Sequence, residues 1–208
     1  NIATQRISGS GSKYWSSNGL VAATIINTWD SPRNPIIIGD DLGGAIFAWL
    51  DARTSATLLY ARRFGADGAA YWAANGTLVH TELAGAPHII GDGSNGAIIA
   101  WTNSGSASRN ILANRYAPNG DLLWGTPVSM AAGDQQSPRM VSAGGGKAIV
   151  AWADYRNGSS SDIYAQKVLA NGSLPVQYQL TANALGSGEG SVASGSGGID
   201  YAYPAAST

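Results

Sequence analysis

Cysteine is absent from the 208 residues. That excludes disulfides, thiolate metal sites and cysteine nucleophiles. Charge is scarce: Asp, Glu, Lys and Arg make up 12% of the chain and the net charge is −1, against a usual charged share of about 25%. A balance this weak offers no broad field for nucleic acid or an anionic membrane. Only two histidines occur, His80 and His88, and no Gly-x-Ser-x-Gly elbow stands at a strand-to-helix junction, so serine-triad chemistry has no foothold. No apolar run reaches the length of a membrane-spanning helix, and no segment of useful length has a helical period. Gly, Ala, Ser, Thr and Asn take the place of the missing charge. The chain starts at Asn1 rather than Met, which a removed signal peptide would explain. With the low charge and the small polar residues, this predicts an extracellular or cell-surface protein.

What is present is a repeat. Gly-Ala-Ile-Phe-Ala-Trp ends at Trp49 and returns at Trp101 and Trp152, with a weaker copy, Gly-Ile-Asp-Tyr-Ala-Tyr, ending at Tyr203. A period near 50 residues with no helical face predicts four-stranded propeller blades. Each unit opens on a proline (Pro35, Pro87, Pro138), which suits the first position of a strand. The Ala-Ile-x-Ala-Trp run follows, apolar on both faces, as expected of a strand held between two neighbouring sheets. A third run carries Leu59-Tyr-Ala-Arg-Arg63, Ile111-Leu-Ala-Asn-Arg115 and Ile163-Tyr-Ala-Gln-Lys167. Asp67-Gly68, Asn119-Gly120 and Asn171-Gly172 after it are hairpin signals.

The ends complete the pattern. Ile2-Ala-Thr-Gln-Arg6 matches the third strand, with Arg6, Arg63, Arg115 and Lys167 equivalent and a glycine five residues after each. Residues 191–194 and 199–203 match a first and second strand. The expectation is an all-β, four-bladed β-propeller of four-stranded antiparallel blades in one domain, 1–208. Its units are 35–86, 87–137 and 138–188, and a composite blade of 189–208 plus 1–34 closes the ring.

These units resemble the β-propeller-type repeats of bacterial secreted and surface proteins. The resemblance rests on Gly145-Gly-Lys-Ala-Ile-Val-Ala-Trp152-Ala-Asp154-Tyr-Arg156, then Ile163-Tyr-Ala-Gln-Lys167, then Asn171-Gly172. It implies the fold and says little of activity, because such repeats serve many architectures. The second unit departs from the pattern, with Asn103 and Gly105 where the others have Asp and Arg.

Three groups of side chains are candidates for function. Trp15, Trp72 and Trp124 each stand nine residues after an equivalent Arg. They follow a glycine hairpin, are expected to be the more exposed tryptophans, and are candidates for glycan stacking. Asp51 with Arg53 and Asp154 with Arg156 are expected to tie down the loop after the second strand. The third group lies where the copies disagree. First strands carry Ile36, His88, Arg139 and Gly190 at one equivalent position, near the mouth of the expected channel, and the entry to the first unit is lengthened around Trp29. The candidate binding patch is Trp29, Asp30, Arg33, His88, Arg139 and Tyr155. No catalytic residue and no metal ligand is assigned. Asp40, Asp41, Asp92, Asp134 and Glu189 form no spaced acid pair of the kind glycoside hydrolysis needs, and no Asp-x-Asp-x-Asp calcium loop occurs. No cofactor is expected, although oxygen-rich loops are compatible with a cation in the channel.

The function expected is non-enzymatic: an extracellular structural or interaction module, self-assembling into a surface layer, matrix or filament. Its partner is protein, including a second copy, or glycan, with no nucleic acid and no membrane span. A carbohydrate-binding propeller is the alternative. A glycoside hydrolase is disfavoured.

Overall fold

A computed structural model describes residues 1–24, 32–54 and 56–175. Thirteen strands and no helix are found among them, and no helix long and apolar enough to cross a membrane occurs there. At the N-terminus β1 (Ile2–Thr4) and β2 (Leu20–Ala23) form a two-stranded antiparallel sheet. The first full unit follows as β3 (Arg33–Gly39), β4 (Ala45–Asp51), β5 (Leu58–Phe64) and β6 (Thr77–His80). The second is β7 (Ala84–Gly91), β8 (Ala97–Asn103), β9 (Asn110–Tyr116) and β10 (Leu122–Ser129). The third is β11 (Gln135–Ser142), β12 (Ala148–Asp154) and β13 (Asp162–Val168). Each unit is an antiparallel meander in chain order, which short glycine hairpins can join.

The units superpose in register as well as in order. Ile36, His88 and Arg139 pair with Ala48, Ala100 and Ala151. Just before each of them the first strand bulges, between Arg33 and Ile36, Gly85 and His88, and Gln136 and Arg139. The bulge residue lies directly ahead of the unit's proline and is left-handed in all three: Asn34 at φ 53°, Ala86 at 44° and Ser137 at 56°. The proline therefore does not open the strand. Each first strand begins two or three residues earlier, and the bulge accommodates a proline inside it by breaking the ladder where no N–H is offered.

Successive sheets pack face to face. Ile2, Trp15, Ala22 and Ala23 of the N-terminal segment cover Ala45, Phe47, Trp49 and Tyr60 of the first unit. The first unit's opposite face, with Ile46, Ala48, Leu59 and Ala61, meets Ile89, Ala97, Ile99 and Trp101 of the second. Ile98, Ala100, Ile111 and Ala113 then meet Met140, Ala148, Val150 and Trp152 of the third. As the two-sided apolar run predicts, β4 and β8 are buried at every residue. By contrast β12 alternates, with Ala148, Val150, Trp152 and Asp154 buried and Ile149 exposed between them.

The residues expected to supply the outer strands of the composite blade form the two-stranded sheet of β1 and β2, which packs on the first unit. The C-terminal half of that blade, residues 191–194 and 199–203 with Glu189, Gly190 and Tyr203, lies outside the described residues.

Candidate functional site

The repeated polar side chains act at the junctions between units. At three successive junctions the third-strand arginine and the tryptophan nine residues later donate to a single carbonyl in the following unit. Arg6 Nη1 and Trp15 Nε1 reach Ala66 O at 3.2 and 3.1 Å. Arg63 Nη1 and Trp72 Nε1 reach Pro118 O at 2.9 and 3.0 Å. Arg115 Nη1 and Trp124 Nε1 reach Ala170 O, both at 3.0 Å. The glycine of the next hairpin lets the indole in: a Cβ at Gly120 would stand 3.0 Å from Trp72 Cδ1, and one at Gly172 would stand 2.9 Å from Trp124 Cγ.

Two of these arginines also hold their own unit. Arg63 donates through Nε and Nη2 to Asp40 Oδ2 at 3.0 and 2.8 Å, and Arg115 does the same to Asp92 at 2.9 Å with both nitrogens. Each aspartate spends its other oxygen on turn amides, Leu42 and Gly44 or Ser94 and Gly96. Burial pushes the Asp40 carboxyl up, but Arg63 and the two amides outweigh it and hold the group below the usual carboxylate range. The third unit has Ala143 and Lys167 at these positions.

Trp15 and Trp72 were expected to be exposed, and they are buried, with Trp72 at 5% exposure. The next unit covers the ring and its carbonyl takes the N–H, so the face a sugar would stack on is occupied. Trp124 is partly buried by the same arrangement.

At the opposite end of the sheets, Asp51 and Asp154 tie the second strand to the loop after it. Trp49 Nε1 and Arg53 Nη2 donate to Asp51, while the Arg53 guanidinium lies 4.1 Å from the Tyr60 ring centre. Trp152 Nε1 and Arg156 make the same contacts to Asp154, with the guanidinium 3.8 Å from the centre of Tyr164. Burial raises both carboxyls, yet the arginine and indole hydrogen bonds leave each lowered on balance.

In the second unit this arrangement is rebuilt with other residues. Asn103 keeps the turn by accepting the Gly105 N–H at 3.1 Å, and its Nδ2 donates to Glu82 Oε2 at 2.8 Å. Glu82 takes the space an arginine would use: a Cβ on Gly105 would lie 2.7 Å from it. The His80 ring lies tilted at 45° to Trp101 with ring centres 5.2 Å apart, and the buried Trp101 indole N–H has no partner among the described residues. Sequence reasoning found the loss of Asp and Arg but not the compensating His80 and Glu82, which arrive from the preceding unit's last strand and its exit.

The expected patch is only partly one surface. Trp29 and Asp30 lie outside the described residues. Arg33 is exposed at the start of β3 and donates to Thr57 Oγ1 at 2.8 Å. His88 and Arg139 hold equivalent positions on β7 and β11, which lie beside each other. His88 is half-buried and its Nδ1 has no hydrogen-bond partner among the described residues. Burial first, and then the Arg139 charge, depress its pKa and favour the neutral imidazole. Tyr155 faces instead a shallow open recess of about 600 Å³, lined with Gly133, Asp134, Gln136, Arg156 and Gly158. Asp134 also binds Arg109 across the junction at 3.0 Å. Among the described residues no group of three His, Asp or Glu is placed to hold a metal ion.

No family model, curated protein or solved structure matches this chain.

Proposed function

We propose that the chain is a β-propeller-type repeat module, with its sheets as blades of a four-bladed ring, acting outside the cell as a non-enzymatic structural or interaction element. One observation carries this reading. The polar side chains that recur, Trp15, Trp72, Trp124, Arg63, Arg115, Asp51 and Asp154, are spent on holding units together or closing turns. The recurrence is therefore scaffold, and what distinguishes the units is displayed at the loop end, on a surface poor in charge. Such a module suits assembly with copies of itself through heterologous contacts. The test is the native particle, by size exclusion with light scattering and by negative-stain electron microscopy. Ordered rings joined into sheets or filaments are expected. A particle that stays monomeric at the highest soluble concentration overturns self-assembly.

A second reading, glycan binding, is favoured by the recess beside Tyr155. Tyr155, Asp134 and Gln136 among its lining residues are the residue types that stack on a sugar and bond its hydroxyls. Glycan-array binding lost in Tyr155→Ala supports it, and an array with no binder removes it.

A further inference from the structure

The hairpins that bury Trp15 and Trp72 turn the preceding residue outward. Both indoles are buried, whereas Tyr14 and Tyr71 are 59% and 50% exposed. The two tyrosines are seated in the same way. The Tyr14 N–H donates to Arg6 O at 2.9 Å, and the Tyr71 N–H to Arg63 O at 3.1 Å. Beyond these bonds, Ile7 with Lys13 and Phe64 with Ala70 pair across the hairpin and fix its backbone. The guanidinium of the same arginine lies against the ring, 4.4 Å from the centre of Tyr14 and 4.8 Å from that of Tyr71. These arginines are held in turn, Arg6 by Ala66 O and Arg63 by Asp40 and Pro118 O. A ring resting on a fixed cation has little rotamer freedom left to lose on binding. At Tyr71 the seat is closer still. A Cβ on Gly65 would stand 2.6 Å from Tyr71 Cε2 and 3.0 Å from Asp67 Oδ1, so a side chain there would collide with both the ring and the carboxylate beside it.

We propose that Tyr14 and Tyr71 are stacking platforms for a neutral pyranose sugar, at the hairpin end of the sheets and away from the recess beside Tyr155. Neither ring closure nor that recess is needed for it. A pyranose lays its C–H face on an aromatic ring and turns its hydroxyls to the rim. At Tyr71 the rim offers Asp67, which is exposed and gives one oxygen to the Ala69 N–H. At Tyr14 it offers the hydroxyls of Ser8, Ser10 and Ser12, which follow one another at 2.9 and 3.5 Å. A nucleobase also stacks on an aromatic ring, but its phosphate would find no free cation at Tyr71. The Arg63 charge is spent on Asp40, and Asp67 repels an anion. The second unit is a built-in control. Its equivalent residue is Leu123, 51% exposed beside Trp124, and Arg115 is held by Asp92 and Ala170 O much as Arg63 is by its own partners. Only the ring is missing there. The repeated tryptophans drew sequence reasoning to sugar stacking in these hairpins. The structure moves that role one residue back, to the side chain that faces solvent.

The experiment titrates cellobiose into the full chain and follows the amides of residues 8–14 and 65–71 by NMR. Mannitol, which has the hydroxyls but no flat C–H face, is the matched probe. Expected are saturable shifts in both segments with cellobiose, at millimolar affinity, and none with mannitol. Tyr14→Leu and Tyr71→Leu introduce the residue the second unit already carries. Each should weaken binding in its own hairpin about tenfold or more and leave the other hairpin unchanged. Leu123→Tyr should add a response at residues 117–123 that the unaltered chain lacks. No saturable shift with cellobiose overturns the inference, and so does an equal response to mannitol. Binding that survives the double variant of Tyr14→Leu with Tyr71→Leu overturns it as well, and its loss in Tyr155→Ala would assign the sugar to the recess instead. A double variant that stops copies associating, in a chain that cellobiose never shifted, makes the two rings protein contacts and likewise overturns it.

Discussion

Trp72 and Pro118 meet across the junction between the first and second units, the indole N–H donating to the proline carbonyl at 3.0 Å. Arg63 shares that acceptor, so the contact has a polar and an apolar part that substitution separates. Trp72→Phe keeps most of the buried ring and is expected to cost about 1–2 kcal/mol for the lost hydrogen bond. Trp72→Ala also leaves a cavity and is expected to cost about 3–5 kcal/mol. Urea titration reads both as a lower midpoint.

Gly120 serves the same contact from the other side. Its φ of +94° and the Trp72 ring 3.0 Å from a would-be Cβ both oppose a side chain. At Gly144, φ is +74° but nothing lies within 4 Å. Gly144→Ala should therefore cost about 1 kcal/mol from the backbone alone. Gly120→Ala should cost a further 1–3 kcal/mol from the displaced ring, with the gap between the two seen in paired thermal melts.

Acid should weaken the fold through Asp40, Asp51 and Asp154. Their carboxyls are held below the ordinary range by arginine, indole and backbone donors that outweigh burial. The unfolded chain thus binds protons at a higher pH, near the ordinary aspartate value of about 3.9. The stability these groups contribute is complete above that value and is lost as pH falls from there through their lower native values. Urea midpoints between pH 6 and pH 2 should show this fall, and the double variant Asp51→Asn with Asp154→Asn should flatten it.

Asn103→Asp brings the second unit closer to the repeat pattern, yet it should destabilise. The substitution removes the Nδ2 donor and sets a carboxylate where Glu82 Oε2 stands 2.8 Å away. Glu82 is half exposed, and water holds the penalty to about 1 kcal/mol. Glu82→Ala in the same chain should remove most of it, giving measurable coupling in a double-mutant cycle.

The order, pairing and two-sided burial of the strands were legible because they follow from local pattern: alternation, glycine hairpins and a period. The junction contacts were not. That Arg63 and Trp72, nine residues apart, converge on one carbonyl 46 residues beyond the tryptophan is a property of the stacked sheets. Their even spacing was visible in the sequence, but it was read as exposure because a tryptophan after a hairpin ordinarily points to solvent. Glu82 was missed for a related reason. It compensates for Gly105 across a junction, and no periodicity links a residue to the space left by a missing side chain in the next copy. The Asp–Arg loop ties came out as expected because donor and acceptor are two residues apart.

The left-handed residue ahead of each proline has a consequence for design. Asn34 tolerates φ 53° well, but Ala86 at 44° and Ser137 at 56° each hold a backbone that a Cβ opposes by about 1 kcal/mol. The architecture keeps this bend in three units whether or not the residue suits it, so the bend is dictated by the fold rather than by local preference. Replacing Ala86 and Ser137 with asparagine would bring the later units to the standard the first already meets. A consensus version of this repeat, built with asparagine at that position throughout, is thereby a direct route to a more heat-resistant chain.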